Sequence, residues 1–479
     1  MWRKTHRSWF IAWLCLGFLV GDALCLVYGY VNTPFIWITF VCACLVLMFP
    51  YRVLLPTIII VGMFMGFWRG CHLLSNLAAY NEFYGVAVTL KGTVAEDVSY
   101  DEKGGQRYYL KNINIGSARL GGKVWVSANK KDIKRGDIVT VKGVLEKGFG
   151  NVSAVIYRAT VNEIIRVHPG DIARQVRDWF AHGIRRAIPE PQVSLGLGYL
   201  LGQKTALPED LEQQIKATGL THVVVASGYN LTILVLFSRQ LFMRISKFTA
   251  TVASSLMVFS FMMVTGFSPS MSRAGLVAFL SLLVWYYGRK MHPFILLSFA
   301  AAVTVMIEPS YLWGDLGWYL SFLSFIGVIV LAPLVHQYFW PNKEPSAFRQ
   351  LTVDTLAAQF ITTPIILGSF GIFAVFALPA NAMVLPLVPL AMLCTFLAGI
   401  VGILLPALAV IAGFPAYLIL KYSTSVIQFW AELPNSQFEL KINSSLIIAS
   451  YIFIGALIIY LKRRTQYDFR NPTSSSEHF

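Results

Sequence analysis

The sequence predicts a polytopic α-helical membrane protein of about 12 spans with a small β-barrel inserted after the third span. Three observations carry this expectation. Hydrophobic residues make up 56% of the 479 and charged residues only 13%, about half the charged share of ordinary soluble domains. Apolar runs of membrane-spanning length recur along the chain. One stretch, from about Gly85 to Val167, breaks that pattern with polar, alternating, turn-punctuated sequence. There are 39 basic and 24 acidic residues. Part of that excess is the Lys/Arg bias of cytoplasmic loops, so by itself it does not point to nucleic acid.

The first region, residues 1–72, holds three expected spans at about Ser8–Tyr28, Pro34–Pro50 and Arg52–Arg69. Arg3, Lys4 and Arg7 place the N-terminus in the cytoplasm, Arg52 fits the next cytoplasmic turn, and three crossings put the segment after Cys71 outside. The basic start resembles a signal peptide, but no cleavage site comes after it, so the first run reads as an uncleaved span. The six cysteines match no zinc or thioredoxin spacing. Cys25 and Cys71 fall near the same membrane face, although sequence alone gives only a weak argument for a bridge.

Residues 84–168 read as a barrel domain outside the membrane. Its candidate strands are Val86–Glu96, Gln106–Ile115, Lys123–Ala128, Asp137–Leu145 and Val152–Glu163, separated by Gly- and Asp-rich turns. Five strands in so short a length suggest an OB-like barrel, with an SH3-like barrel reading similarly. Between residues 80 and 168 there are 14 Lys/Arg and 9 Asp/Glu. If Val124 and Val126 face the core, Trp125 points outward beside Lys123, and Tyr108 and Tyr109 add rings. Aromatics interleaved with cations suit single-stranded nucleic acid, rings stacking on bases and cations following phosphates. The plainer alternative makes these rings core and ordinary strand residues.

Residues 170–217 are expected to be interfacial and re-entrant. Asp171–Ile188 reads as an amphipathic helix at the bilayer surface, with Trp179 among its apolar residues and Arg174, Arg177, Arg185 and Arg186 elsewhere. The glycine-rich Ser194–Thr205 has the wrong spacing for a phosphate loop and is too short to span. From 218 to 461 the chain reads as a helical membrane core, ending in a cytoplasmic tail at 462–479 that opens on Lys462-Arg-Arg464. The crossings close if Phe373–Leu390, interrupted by three prolines, is re-entrant. The stretch Gly219–Asn230 sets His222, Ser227, Gly228 and Asn230 within an apolar run. Such residues at membrane depth either face a partner or a wet cavity, or simply pack helix on helix. Its Ser-Gly step invites a break. Arg273, Asp315, Ser321, Ser324 and Asn381 are the other polar residues stranded among the spans. Singly, Arg273 could cap a helix end and Asp315 could be an N-cap. Together they are candidates for a polar path.

The ordered set Leu200-Leu-Gly-Gln-Lys-Thr205, Ala217-Thr-Gly-Leu-Thr-His222, Ala226-Ser-Gly228, Ser272-Arg-Ala274, Asp315–Ser324 and Ala380-Asn381 resembles the membrane core of ComEC-type competence proteins. The three preceding spans and the OB-like domain resemble the N-terminal part of that family. The resemblance implies a bacterial inner-membrane channel for uptake of single-stranded DNA in natural transformation. It also implies the partners such a channel needs: membrane lipids, a DNA receptor outside, a separate nuclease, and a cytoplasmic helicase/ATPase or single-strand-binding protein. Two departures stand out. The family's usual histidine is Asn230 here, which can only hydrogen-bond. The sequence also shows no His-x-His-x-Asp-His cluster of the metallo-β-lactamase-like domain that many members carry. No metal, cofactor or enzymatic activity is therefore expected, and no ATP-binding loop is seen. Rival readings are a transporter of another, anionic solute with the barrel as scaffold, and a non-transporting membrane scaffold. An enzyme is the weakest, for want of a nucleophile–base pair.

Overall fold

A computed structural model describes residues 8–29, 51–100, 105–129, 132–166, 171–203, 207–224, 227–288, 292–341, 346–467 and 469. The expected span Pro34–Pro50 and the N-terminal charges Arg3, Lys4 and Arg7 lie outside them. By contact the chain divides into two compact units, Met1–Val176 with Ser238–Trp318, and Arg177–Phe237 with Tyr319–Phe479. Among the described residues eight helices are long and apolar enough to cross a membrane.

In the first unit, α1 (Ser8–Tyr28) and α2 (Tyr51–Ala78) lie side by side and parallel. Their seam is made of glycines. A Cβ added at Gly21 would sit 1.9 Å from the Met63 carbonyl oxygen, and one at Gly66 would sit 1.9 Å from the Phe18 carbonyl oxygen. Small residues at four-residue spacing let the backbones touch, which compensates for the missing hydrophobic drive between helices in lipid.

α2 leads directly into the barrel, where Tyr80 is buried among the core valines and leucines, with Leu77, Phe83 and Tyr84 packed around it. The strands are β1 (Ala87–Val94), β2 (Ser99–Tyr100), β3 (Gln106–Ile115), β4 (Ala118–Leu120), β5 (Val124–Ala128), β6 (Ile138–Lys147) and β7 (Ala154–Ile165). The five long ones match the expected strands within a few residues, and β2 and β4 are short additions along β3. The path β1-β6-β7-β5-β3 closes through a β1–β3 pairing. Every pairing is antiparallel except β5 with β7. This closed five-stranded path, with its one parallel join, is the OB topology.

Arg135, in the turn before β6, fastens the barrel to its surroundings. Its Nε donates to the Asp171 carboxylate at 2.6 Å, and Nη2 donates to the Met263 carbonyl at 3.4 Å. Asp171 also accepts from the Arg174 amide. Burial alone would raise the Asp171 pKa, but these donors bring it below the ordinary aspartate value. The remaining helices of this unit are described with the site below.

The second unit holds most of α3 (Ile172–Ala187), then α4 (Gln192–Leu201), α5 (Glu209–Ala217), α6 (Thr221–Val224) and α7 (Gly228–Phe242). The amphipathic helix expected over Asp171–Ile188 forms, and only part of its length is exposed. Ile172, Val176 and Trp179 are exposed along one stripe, and Arg185 and Arg186 are exposed. Arg177, however, is buried beside Asp178, and Gly183 packs against the Gly399 carbonyl. α4 corrects the interfacial reading, since Val193–Leu201 are all buried. Its glycines allow this: Gly198 packs against the Val224 carbonyl and Gly196 against Thr395 and Leu420.

Phe373–Leu390, expected to be re-entrant, falls across a short strand and the start of a long helical stretch. Ile372–Ala374 (β8) pairs with Gln437–Glu439 (β9), and Ala377–Leu404 forms one apolar helical stretch of 28 residues. Prolines fit because Pro386 and Pro389 fall at the starts of a 3-10 turn (Leu385–Leu387) and of the helix after it, where an amide donor is not needed.

The glycine seam makes a sharp prediction. Gly66→Val should destabilise the detergent-solubilised protein by about 3 kcal/mol. Gly455, where an added Cβ would meet nothing within 4 Å, should accept Ala with a gain of up to about 1 kcal/mol. Thermal unfolding of both variants checks the contrast.

Candidate nucleic-acid interface

In OB barrels the second and third long strands, with the loops between strands one and two and strands four and five, form the oligonucleotide-binding face. Here those elements are β3, β5, the β1–β3 connection and the Gly148–Ser153 loop. Tyr109 on β3 stands directly opposite Trp125 on β5. On the far side Trp125 meets Tyr157 of β7 edge-on, ring centroids 5.5 Å apart. Three rings therefore cross three neighbouring strands. Trp125 points away from the core because Val124 and Val126 point into it.

Two of the expected residues read differently. Tyr108 is 1% exposed in the barrel core; adjacent strand residues face opposite ways, so only one of Tyr108 and Tyr109 can be outward. Lys123 does reach the outward side, 5.9 Å from the Tyr109 ring centroid. It is nevertheless 5% exposed, and its ammonium pairs with Glu96 at 3.2 Å. Lys111 adds a second cation. Desolvation first, then the neighbouring Lys123 charge, lower its pKa from the ordinary lysine value, while Glu96 and Glu308 act in the opposite direction.

The helices that follow are α8 (Lys247–Thr265), α9 (Pro269–Tyr286), α10 (Pro293–Ile307), α11 (Ser310–Gly314) and α12 (Leu316–Ile326), and the Gly148–Ser153 loop rests where α11 meets α12. Gly150 and Gly314 meet backbone to backbone, and a Cβ on Gly314 would lie 2.8 Å from the Gly150 Cα. Beside them Asp315 takes the capping position before α12: Oδ1 accepts from the Trp318 amide and Oδ2 from Asn151 Nδ2, both at 2.6 Å. Arg273, 2% exposed, donates through Nη2 to the Gly317 carbonyl at 2.6 Å. Asp315 is close enough to attract it electrostatically. The structure thus brings Arg273 and Asp315 to one corner with the barrel loop. Asn151 and Glu96 are the partners that sequence reading missed; the position of Asn151 in the OB loop between strands four and five was the available signal.

The other candidates belong to the second unit. The expected break falls at Ser227, between α6 and α7. Ser227 Oγ accepts from the Asn230 amide and donates to Asn230 Oδ1, while Asn230 Nδ2 donates to the Tyr199 carbonyl at 3.0 Å. Asn230 is 0% exposed, so in this structure it staples α7 to α4 and does not line an open path. Gly228, at the start of α7, is half-buried. His222 is exposed, with Nδ1 3.0 Å from the Gly219 carbonyl oxygen. Ser321 and Ser324 are half-buried on α12, and the Ser324 hydroxyl donates to the Ser321 carbonyl. Asn381 is buried, and its Oδ1 has no hydrogen-bond partner among the described residues.

An OB-type barrel bearing an aromatic and basic face, joined to helices of membrane-spanning length and composition, defines a membrane protein with an oligonucleotide-binding type of domain. The chain belongs to the competence protein family, whose model matches residues 199–464. It is similar to ComE operon protein 3 of Bacillus subtilis (strain 168), with 23% identity over 232 residues, 47% of this chain and 28% of that protein. The chain therefore matches less than two thirds of that relative's length. No solved structure matches the chain.

Removing the Asp315 carboxylate should uncap α12 and release Asn151 together. Asp315→Ala is expected to cost about 2 kcal/mol, and Asn151→Ala less. Thermal unfolding of the two single variants and the double variant should show non-additive losses, because both remove the same contact.

Proposed function

We propose that this chain is an inner-membrane channel that takes up single-stranded DNA during natural transformation, with the barrel outside and both termini in the cytoplasm. The observation that carries the reading is the ring series Tyr109–Trp125–Tyr157 across β3, β5 and β7, with the exposed Lys111 beside it. Stacked rings grip bases of any sequence and neighbouring cations follow the phosphates. Family membership supports the same reading from the helical part of the chain. The strand would leave the barrel face at the Arg273 corner, where the Asp315 charge is already engaged by two donors. His222, Ser227, Gly228, Ser321, Ser324 and Asn381 are proposed to serve the onward path, with Asn230 holding the break that shapes it.

We propose no chemistry for the chain itself. A DNA receptor, a nuclease activity, and a cytoplasmic helicase or single-strand-binding protein would work with the channel. The exposed stripe of Ile172, Val176 and Trp179 with Arg185 and Arg186 would lie against lipid headgroups.

The test is entry of fluorescent DNA into the cytoplasm. Deleting the gene should abolish the cytoplasmic signal while DNA stays at the surface, and the intact gene should restore it. Trp125→Ala should weaken single-strand binding by the purified chain about 10-fold, whereas Lys123→Ala, whose charge Glu96 already holds, should cost less than about threefold. Undiminished import after deletion would reject the DNA reading and favour transport of another solute.

A further inference from the structure

The seam between α1 and α2 ends in two sulfurs that the proposed channel does not use. On α1 the residues facing α2 recur every four positions as Gly17, Gly21 and Cys25. On α2 they are Gly62, Gly66 and Gly70, with Cys71 next in sequence. Cys25 is thus the next member of the small-residue row. Its Sγ lies 3.3 Å from the Cys71 Sγ, and the two residues are 0% and 1% exposed. A Cβ on Gly70 would lie 3.0 Å from the Cys25 Cβ, so the seam remains closed up to the cysteines. The touching backbones leave neither helix free to slide its cysteine away. Approach from this contact to a sulfur–sulfur bond of about 2.05 Å is a short side-chain movement.

We propose that Cys25 and Cys71 form a structural disulfide in the mature protein. The inference rests on the topology proposed above, since only the outer end of the pair meets an oxidising compartment. Each thiol loses a proton, and the two electrons pass to the disulfide of an extracytoplasmic thiol–disulfide oxidase. The new bond joins the two Sγ atoms, and the oxidase leaves as a dithiol. The reaction takes place during membrane insertion, before the seam buries both sulfurs. The bridge would staple α1 to the helix that runs on into the barrel core at Tyr80, holding the barrel's mount in register.

Full-length protein is quenched in acid, denatured and alkylated with N-ethylmaleimide without reductant, then digested and read by mass spectrometry. The expected result is a linked pair of peptides carrying Cys25 and Cys71, which takes up maleimide only after reduction. Cys15 and Cys394 should react at the first step. Alkylation of Cys25 and Cys71 at that first step would overturn the bridge. Protease cleavage of the barrel in spheroplasts reads the topology independently. An outside barrel with both thiols free defeats the disulfide alone, and an inside barrel with free thiols defeats the topology as well.

Discussion

Asp315 is the interaction on which the barrel's seat depends. A carboxylate enclosed by protein is costly unless donors surround it, and this one receives the Trp318 amide on one oxygen and the Asn151 side chain on the other. The first contact fixes the start of α12. The second fixes the Gly148–Ser153 loop, whose Gly150 can approach only because Gly314 also lacks a side chain. Arg273 completes the corner by holding the Gly317 carbonyl. Residues more than a hundred positions apart in sequence thus become one structural feature, in which each polar contact helps to make the others tolerable.

That arrangement bears on what the barrel can do. A strand-binding face is useful only if it is held still relative to the route the strand takes, and loops that bind are commonly positioned by a rigid scaffold. Here the loop is tied at Asp315, the opposite end of the domain is tied by Arg135 to Asp171, and α2 enters the core directly. On the proposed reading, the rings remain available for bases while the acidic groups nearest them are occupied: Glu96 by Lys123 and Asp315 by its two donors.

Much of this was legible in the sequence. Alternation and turn residues placed the five long strands, because a half-buried strand repeats every two residues and glycine-rich turns punctuate it. The same rule separates Tyr108 from Tyr109, since neighbours on a strand cannot both face outward. Lys123 was harder: its direction follows from Trp125, but its burial depends on Glu96, a contact set by closure of the barrel. The Ser-Gly break at residue 227 was visible as a polar interruption. The role of Asn230 was not, since its partner Tyr199 lies on a helix 31 residues away. The burial of α4 escaped for a related reason. A mostly apolar helix of ten residues, two of them glycines, is compatible with an interface or a packed core, and only the neighbouring Val224, Thr395 and Leu420 decide between them.

The most direct test of the central claim is a cross-linking measurement during uptake. A photoreactive residue replacing Ser127, which lies two positions from Trp125 on the same outward side of β5, leaves the three rings intact. Cells taking up labelled DNA are irradiated and the adducts recovered. The account predicts a DNA adduct at position 127 that appears only while import proceeds and contains one strand. Continued import with no adduct at that position would contradict it.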